Sequence, residues 1–264
     1  MTPGRLMNVL LLDDDPDLAA HYKREIESHS SFRVVAETSS LKARSLAEKQ
    51  LFDAVVIDAK LDYRGYEYGG VRLADELAPR YGNHSILVIS RYVTAEWLRL
   101  HGAGYDFLEK HPGYGDPSFF RRELCRRLRS MRKEQYAFVA MPFAREHETV
   151  YKRIKEGVSV AGFKCVRADE VAHTRSMQGT LLELLLKSKF VVFLADGANA
   201  NAYYEAGFAD ALKKEVVIVA KDVCNLLVDV RDRLTLIYGD KAESLDRLLA
   251  KKISALVTRK PPTS

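Results

Sequence analysis

The chain has 264 residues, 47% apolar and 29% charged, enough material to bury a core in each of two domains and too apolar for disorder by default. No stretch reaches the roughly 18 to 20 uninterrupted apolar residues of a membrane span, and no signal-peptide pattern opens the chain, so a cytoplasmic protein without a membrane partner is expected. Cys125, Cys165 and Cys224 are too scattered for a disulfide framework or a zinc site, and much of the +5 net charge traces to one run, Arg121–Lys133.

Apolar runs bounded by turn residues recur at Val9–Leu12, Phe32–Ala36, Ala54–Ile57, Ile86–Ile89 and Asp106–Leu108. Amphipathic stretches at Asp17–Ser28, Leu41–Lys49, Val71–Leu77 and Ala95–His101 separate them, the rhythm of a parallel sheet with helices on both faces. Ser118–Gln135 carries Phe119, Phe120, Leu124, Leu128 and Met131 on a helical repeat, and predicts a last helix continuing into a connector. A second series follows, with strands at Tyr136–Met141, Phe163–Val166, Phe190–Leu194 and Val216–Ala220. Helices are expected near Thr149–Ala161, Met177–Lys187, Ala202–Lys213 and Ser244–Val257, and Lys260–Ser264 reads as a frayed tail. The expected organisation is therefore α/β throughout: two doubly wound parallel-sheet domains, a first core over 1–117, a helix and connector over 118–135, and a second domain over 136–264.

In a doubly wound sheet, Asp13, Asp14 and Asp15 after the first strand meet Asp58 after the third at the carboxyl edge, where ligands bind. Carboxylates crowded there repel one another unless a divalent cation is shared, and oxygen ligands suit magnesium. Ser90 and Lys110 close the fourth and fifth strands and add a hydroxyl and an ammonium, so a phosphoryl group on Asp58 would be held by metal, hydroxyl and cation together. Strand-end acids also serve simply as helix caps.

These residues, in N-V-L-L-L-D-D-D-P-D at Asn8–Asp17, V-V-I-D at Val55–Asp58, L-V-I-S at Leu87–Ser90 and F-L-E-K-H-P at Phe107–Pro112, resemble the receiver domains of two-component response regulators, with their CheY-like, flavodoxin-type fold. The resemblance covers about Leu6 to Arg129. It implies Asp13 and Asp14 as the Mg2+-binding pair, Asp58 as phosphoacceptor and third ligand, Ser90 as switch hydroxyl, Lys110 as the phosphate-pairing lysine, and a sensor histidine kinase as partner. The segment after Asp58, A-K-L-D-Y-R-G-Y-E-Y-G-G, is longer and more aromatic than that family's usual loop.

In the second half, the strand Phe190–Leu194 runs into Asp196 and a small-residue loop, and Glu205 is expected in the first turn of a helix opening near Ala202. Gly207 and Ala209 are expected to permit close packing around it. The turn Met141-Pro142-Phe143 and the segment Arg167–Glu170 belong to the same edge, so Asp169, Asp196, Glu205 and Arg167 converge there. F-V-A-M-P-F, N-A-N-A-Y-Y-E-A-G and the V-V-I-V-A strand resemble the nucleoside deoxyribosyltransferase-like group, related in fold to TIR domains that cleave NAD. That resemblance implies Glu205 as the nucleophile at the anomeric carbon of an N-glycoside, with Asp169 and Asp196 holding sugar or base. It places Met141, Pro142, Phe143, Arg167, Asn199, Asn201 and Tyr204 around a nucleoside, nucleotide or dinucleotide such as NAD. Tyr203 and Tyr204 are expected as one core residue and one pocket wall.

The expected whole is a response regulator whose phosphorylation controls this output domain. Its rival is a non-enzymatic module whose TIR-like domain binds protein, itself included. A homodimer fits either reading. On its own, Glu205 is also an acid favoured by the helix dipole, worth about 0.3–1 kcal/mol. DNA binding by Arg121–Lys133 ranks last, since an arginine-rich helix with an apolar stripe is more often a solvated or coupling face.

Overall fold

A computed structural model describes residues 6–91, 94, 96–97, 104–110, 117–133, 135–171, 177–223, 226, 234–240 and 242–258. The chain divides into two compact units, Met1–Glu134 with Leu256–Ser264, and Gln135–Ala255. Cys224, His173, Pro112, the tail and most of the helix expected over Ala95–His101 lie outside the described residues.

In the first unit, strands β1 (Met7–Leu12), β2 (Phe32–Glu37), β3 (Ala54–Asp58), β4 (Ile86–Ser90) and β5 (Asp106–Glu109) form one parallel sheet in the order β2-β1-β3-β4-β5. Helices α1 (Pro16–Glu27), α2 (Ser40–Lys49), α3 (Gly69–Tyr81) and α4 (Pro117–Lys133) flank it. Alternation along the strands sends Val9, Leu11, Val56, Leu87 and Ile89 into one core with Tyr22 and Ile26 of α1 and Leu124, Cys125, Leu128 and Met131 of α4. The stretch expected to hold the last helix and connector thus contributes four side chains to this core.

Four arginines of α4 are engaged within the same unit. Glu123 accepts from Arg126 and Arg127, Arg127 also reaches Asp106, Arg121 pairs with Glu25, and the Arg129 guanidinium lies over the Phe32 ring. Helix α3 runs four residues past its expected end. Tyr81 anchors that extension, fully buried with its hydroxyl 2.9 Å from the carbonyl of Ala47 and 2.8 Å from that of Gln50.

The second unit has β6 (Tyr136–Ala140), β7 (Lys164–Arg167), β8 (Phe190–Leu194), β9 (Val216–Ala220) and β10 (Thr235–Ile237), all parallel, in the order β10-β9-β8-β6-β7. Its helices are α5 (Glu148–Val160), α6 (Met177–Lys187), α7 (Ala200–Ala211) and α8 (Leu245–Thr258) up to Ala255, the last three residues of α8 counting with the first unit. Counted from the first strand of each unit, both sheets read 2-1-3-4-5, the flavodoxin-like order, although no sequence repeat relates them. In both, the switch point falls between the first and third strands. One core of the second unit joins Phe138, Val191, Phe193 and Ile218 to Leu185 of α6 and Ala202, Ala206 and Ala209 of α7.

Three expectations are corrected. The sequence pattern omits β10, three residues long. Helix α7 begins at Ala200 rather than near Ala202, because the Asn199 side chain caps it by accepting from the Ala202 N–H at 3.1 Å. Glu205 therefore lies in the second turn, where the dipole argument fades. Strand β7 includes Arg167, so that residue belongs to the sheet and not to the turn after it.

Candidate functional site

At the carboxyl edge of the first sheet, Asp13, Asp14, Asp15, Leu18, Asp58, Lys60, Arg91 and Lys110 line a cleft of about 300 Å³. The Lys110 ammonium donates to Asp13 at 2.6 Å and lies 3.1 Å from Asp58, with Asp13 and Lys110 almost wholly buried. Burial pushes the Asp58 carboxyl above its usual range, a rise that Lys110 only partly offsets. Burial alone would lower Lys110, but the Asp58 and Asp13 carboxylates hold the ammonium above its ordinary value. One ligand oxygen from each of Asp13, Asp14 and Asp58 lies within 4.8 Å of the others, a hard-oxygen set suited to a divalent cation.

The remaining acids and the hydroxyl have different placements. Asp15 caps α1, accepting from the N–H groups of Asp17 and Leu18 at 2.9 and 3.1 Å, so the helix-cap reading applies to it. Ser90 ends β4 fully buried, and its carbonyl accepts from the Lys110 N–H at 2.7 Å. It stands behind the cleft wall. Lys60 and Arg91, which the sequence reading overlooked, line the cleft instead; each follows its strand by one or two positions, and that adjacency was the available signal.

The unusual segment after Asp58 has its own order. Arg64 and Gly65 take left-handed backbone (φ 55° and 75°) and bring Tyr63 and Tyr66 into an antiparallel bridge. Tyr63 is buried, and its hydroxyl donates to Glu76 at 2.7 Å, which Arg64 also pairs at 3.0 Å. Helix α3 then starts against the end of β3 so closely that a Cβ on Gly70 would lie 1.8 Å from the Asp58 carbonyl oxygen. Only glycine allows that approach.

At the corresponding edge of the second sheet lies a cavity of about 390 Å³ lined by Met141, Pro142, Phe143, Ala168, Asp169, Leu181, Asn199, Asn201, Tyr204 and Glu205. Eight of these are residues singled out from sequence; Ala168 and Leu181 are additions. Glu205 is half-buried and, among the described residues, has no hydrogen-bond or ion-pair partner. Burial raises its carboxyl to about 7. Tyr204 is exposed on the wall, whereas Tyr203 packs edge-on to Phe193 with centroids 4.7 Å apart. A Cβ on Gly207 would meet open space, so the expectation that this glycine serves packing is corrected.

Two predicted residues fall outside the lining. Arg167 is buried beneath the wall, donating to both oxygens of Asp169 at 2.6 and 2.9 Å and to Glu148 at 3.2 Å. Its guanidinium lies 4.0 Å from the Tyr151 ring centroid and 5.8 Å from that of Phe143. Arg167 therefore fixes Asp169 and braces Phe143 instead of facing the cavity. Asp196 is also buried, accepting from the Tyr238 hydroxyl and, at 2.7 Å, from the Lys221 N–H. Its oxygens tie strand ends together. Cys165 is half-buried, its thiol raised to about 11 chiefly by burial, and so it is a poor nucleophile.

No family model matches the sequence, and no curated protein matches it. Among solved structures, the chain is similar to the receiver domain of a Francisella response regulator at 23% identity and a TM-score of 0.39, over 47% of this chain and 95% of that one. It is similar to a CheY-like receiver domain protein from Methanospirillum hungatei at 18% identity and 0.40, over 49% and 98%. A third match, at 24% identity and 0.37 over 48% and 97%, is the receiver domain of a Pseudomonas aeruginosa sensor histidine kinase, solved with a magnesium ion coordinated in its active-site cleft. Receiver-domain matches thus cover about half of the chain. Among the described residues no helix is long and apolar enough to cross a membrane.

Proposed function

We propose that the chain is a two-component response regulator: Asp58 takes a phosphoryl group from a sensor histidine kinase, and this controls an N-glycoside site in the second unit. The observation that carries the first half is the Lys110 ammonium set between Asp13 and Asp58, with Asp14 within ligand distance of both. Two buried carboxylates and a lysine at one sheet edge exceed what capping requires. Asp13, Asp14 and Asp58 would hold a divalent ion, and magnesium bound there would neutralise charge on the phosphoryl oxygens. The Asp58 oxygen forms the new P–O bond while the donor's P–N bond breaks and its electron pair leaves on the imidazole. Lys110 then pairs the transferred group, and the Ser90 hydroxyl would turn toward it. Labelling with acetyl phosphate tests this: wild type takes label, and Asp58→Asn taking label at the same level would refute it.

For the second half, the supporting observation is a carboxyl that titrates near neutrality, unpartnered among the described residues, on a cavity at the switch point. Ionised Glu205 attacks the anomeric carbon; the C–N bond breaks and the base leaves with the electron pair, a cationic base departing neutral and a neutral one taking up a proton from water. Water then hydrolyses the glycosyl ester and restores Glu205. Asp169, held by Arg167, faces the sugar. Release of free base from nucleosides and NAD, compared with Glu205→Gln, is the test. With neither release nor binding by folded protein, the interaction-module reading takes its place.

Only Glu134 and Gln135 separate α4 from β6 in the chain. Phosphorylation adds about −1.5 to −2 charges at Asp58, whose unit packs α4 into its core.

A further inference from the structure

The two sheet edges differ in the sign of charge they turn toward a ligand. In the first cleft, Lys60, Arg91 and Lys110 stand among the carboxylates, as an anionic group requires. The second cavity has no lysine, arginine or histidine among its described lining residues; its ionisable side chains are the carboxyls of Asp169 and Glu205 and the Tyr204 phenol. Arg167, the described cation that holds Asp169, directs its N–H groups at Asp169 and Glu148 and its flat face at Tyr151, away from a phosphate in the cavity. At the N-terminus of α7 the Asn199 side chain already accepts from the Ala202 N–H, which leaves one donor fewer for an anion.

What this cavity does offer is flat apolar surface and one carboxyl, that of Glu205, which no described residue pairs. Phe143 and Tyr204 are 51% and 58% exposed, large for aromatic side chains, and Met141, Pro142 and Leu181 complete the wall. Aromatic faces beside a desolvated carboxyl attract organic cations, since the ring quadrupole and the carboxylate act in the same direction. Resting on the N-glycoside reading above, we infer that this site selects a positively charged, planar heterocycle without phosphate: a pyridinium-type N-riboside rather than a nucleotide or dinucleotide. The ring lies against Phe143 and Tyr204, and its charge supplies Glu205 with the partner that the described residues do not. A cationic base is also the better leaving group, departing neutral as the C–N electron pair returns to it.

Calorimetric titration of the full-length protein decides the matter, with five probes: nicotinamide riboside (cation), its 5′-monophosphate, NAD, uridine (neutral) and 1-methylnicotinamide (cation without sugar). The expected result is that the riboside binds at least about tenfold more tightly than uridine, the monophosphate or NAD, and that Glu205→Gln erases the preference over uridine. If the monophosphate or NAD binds as well as the riboside, the inference is wrong while the N-glycoside reading stands. If 1-methylnicotinamide binds and no base is released from any riboside, selection of a cation stands and glycoside cleavage falls. If no probe binds folded protein, both fall.

Discussion

Two sheets with the same strand order, 2-1-3-4-5, bring their switch points to different chemistry. In the first unit, carboxylates stand just past β1 and at the end of β3, and a buried lysine arrives between them from past β5. In the second, the residues just past β6 are Met141, Pro142 and Phe143, and the buried Arg167 guanidinium is turned beneath Asp169. The fold fixes where a ligand sits; one or two residues beyond each strand decide its charge and whether it is held by ion pairs or by ring faces.

The largest expected effect separates the edges outright. Asp58→Asn should abolish phosphoryl uptake and Glu205→Gln leave it intact, whereas Glu205→Gln should reduce base release about a hundredfold or more. Loss of label in Glu205→Gln would mean that the edges do not act separately. Next come two glycines. Gly70→Ala forces a methyl against the Asp58 carbonyl and should destabilise the first unit by roughly 3 kcal/mol in urea unfolding. Gly207→Ala, in open helix, should stabilise the second by about 0.5–1 kcal/mol.

Magnesium sharpens the contrast further. At about 100 times its dissociation constant it should stabilise the first unit by about 2.7 kcal/mol, an increment removed by EDTA and absent in Asp14→Asn. The second unit's melting should not respond.

Proton linkage distinguishes the edges as well. Because the folded state raises Glu205 from 4.5 to about 7, it binds that proton more tightly than the unfolded chain does. The contribution of Glu205 to stability is therefore fully present below pH 4.5, is lost as pH rises to about 7, and does not change above. With Glu205 only half-buried, the loss is on the order of 1 kcal/mol. Glu205→Gln should be the more stable protein at pH 8 and no better than wild type at pH 4. The smallest effect is Tyr63→Phe, which frees Glu76 of one hydrogen bond and should cost about 1 kcal/mol or less in the first unit alone.

Much of this was legible because strand ends announce themselves: an apolar run that stops at Asp58 or Ser90 puts the following residue at the ligand edge. The same rule placed Met141 and Asp169 on one cavity, and the helix opening after β8 brought Glu205 to it. It failed where a one-residue boundary mattered. Arg167, read as following its strand, belongs to it and lies under the wall, since a single step along a strand reverses the face. Asp196 failed differently: its partner Tyr238 lies 42 positions on, after a strand too short for periodicity to reveal. The onset of α7 was written in Asn199, a cap residue, but the apolar pattern begins only later in the helix.

The tie between Asp196 and Tyr238 also bears on how this molecule opens. Strand β10 is a three-residue sheet edge bonded on one side only, the kind of element that ordinarily frays first. Here the Asp196 carboxylate receives a phenol from just past that strand and the Lys221 amide from just past β9, while the Tyr238 and Gly239 amides donate to Ala220 and Lys221. One buried acid thus clasps three strand ends at the margin. The amides of Lys221 and Tyr238 belong, on that account, with the slow-exchanging interior in deuterium labelling, and the outermost strand opens with the core instead of ahead of it.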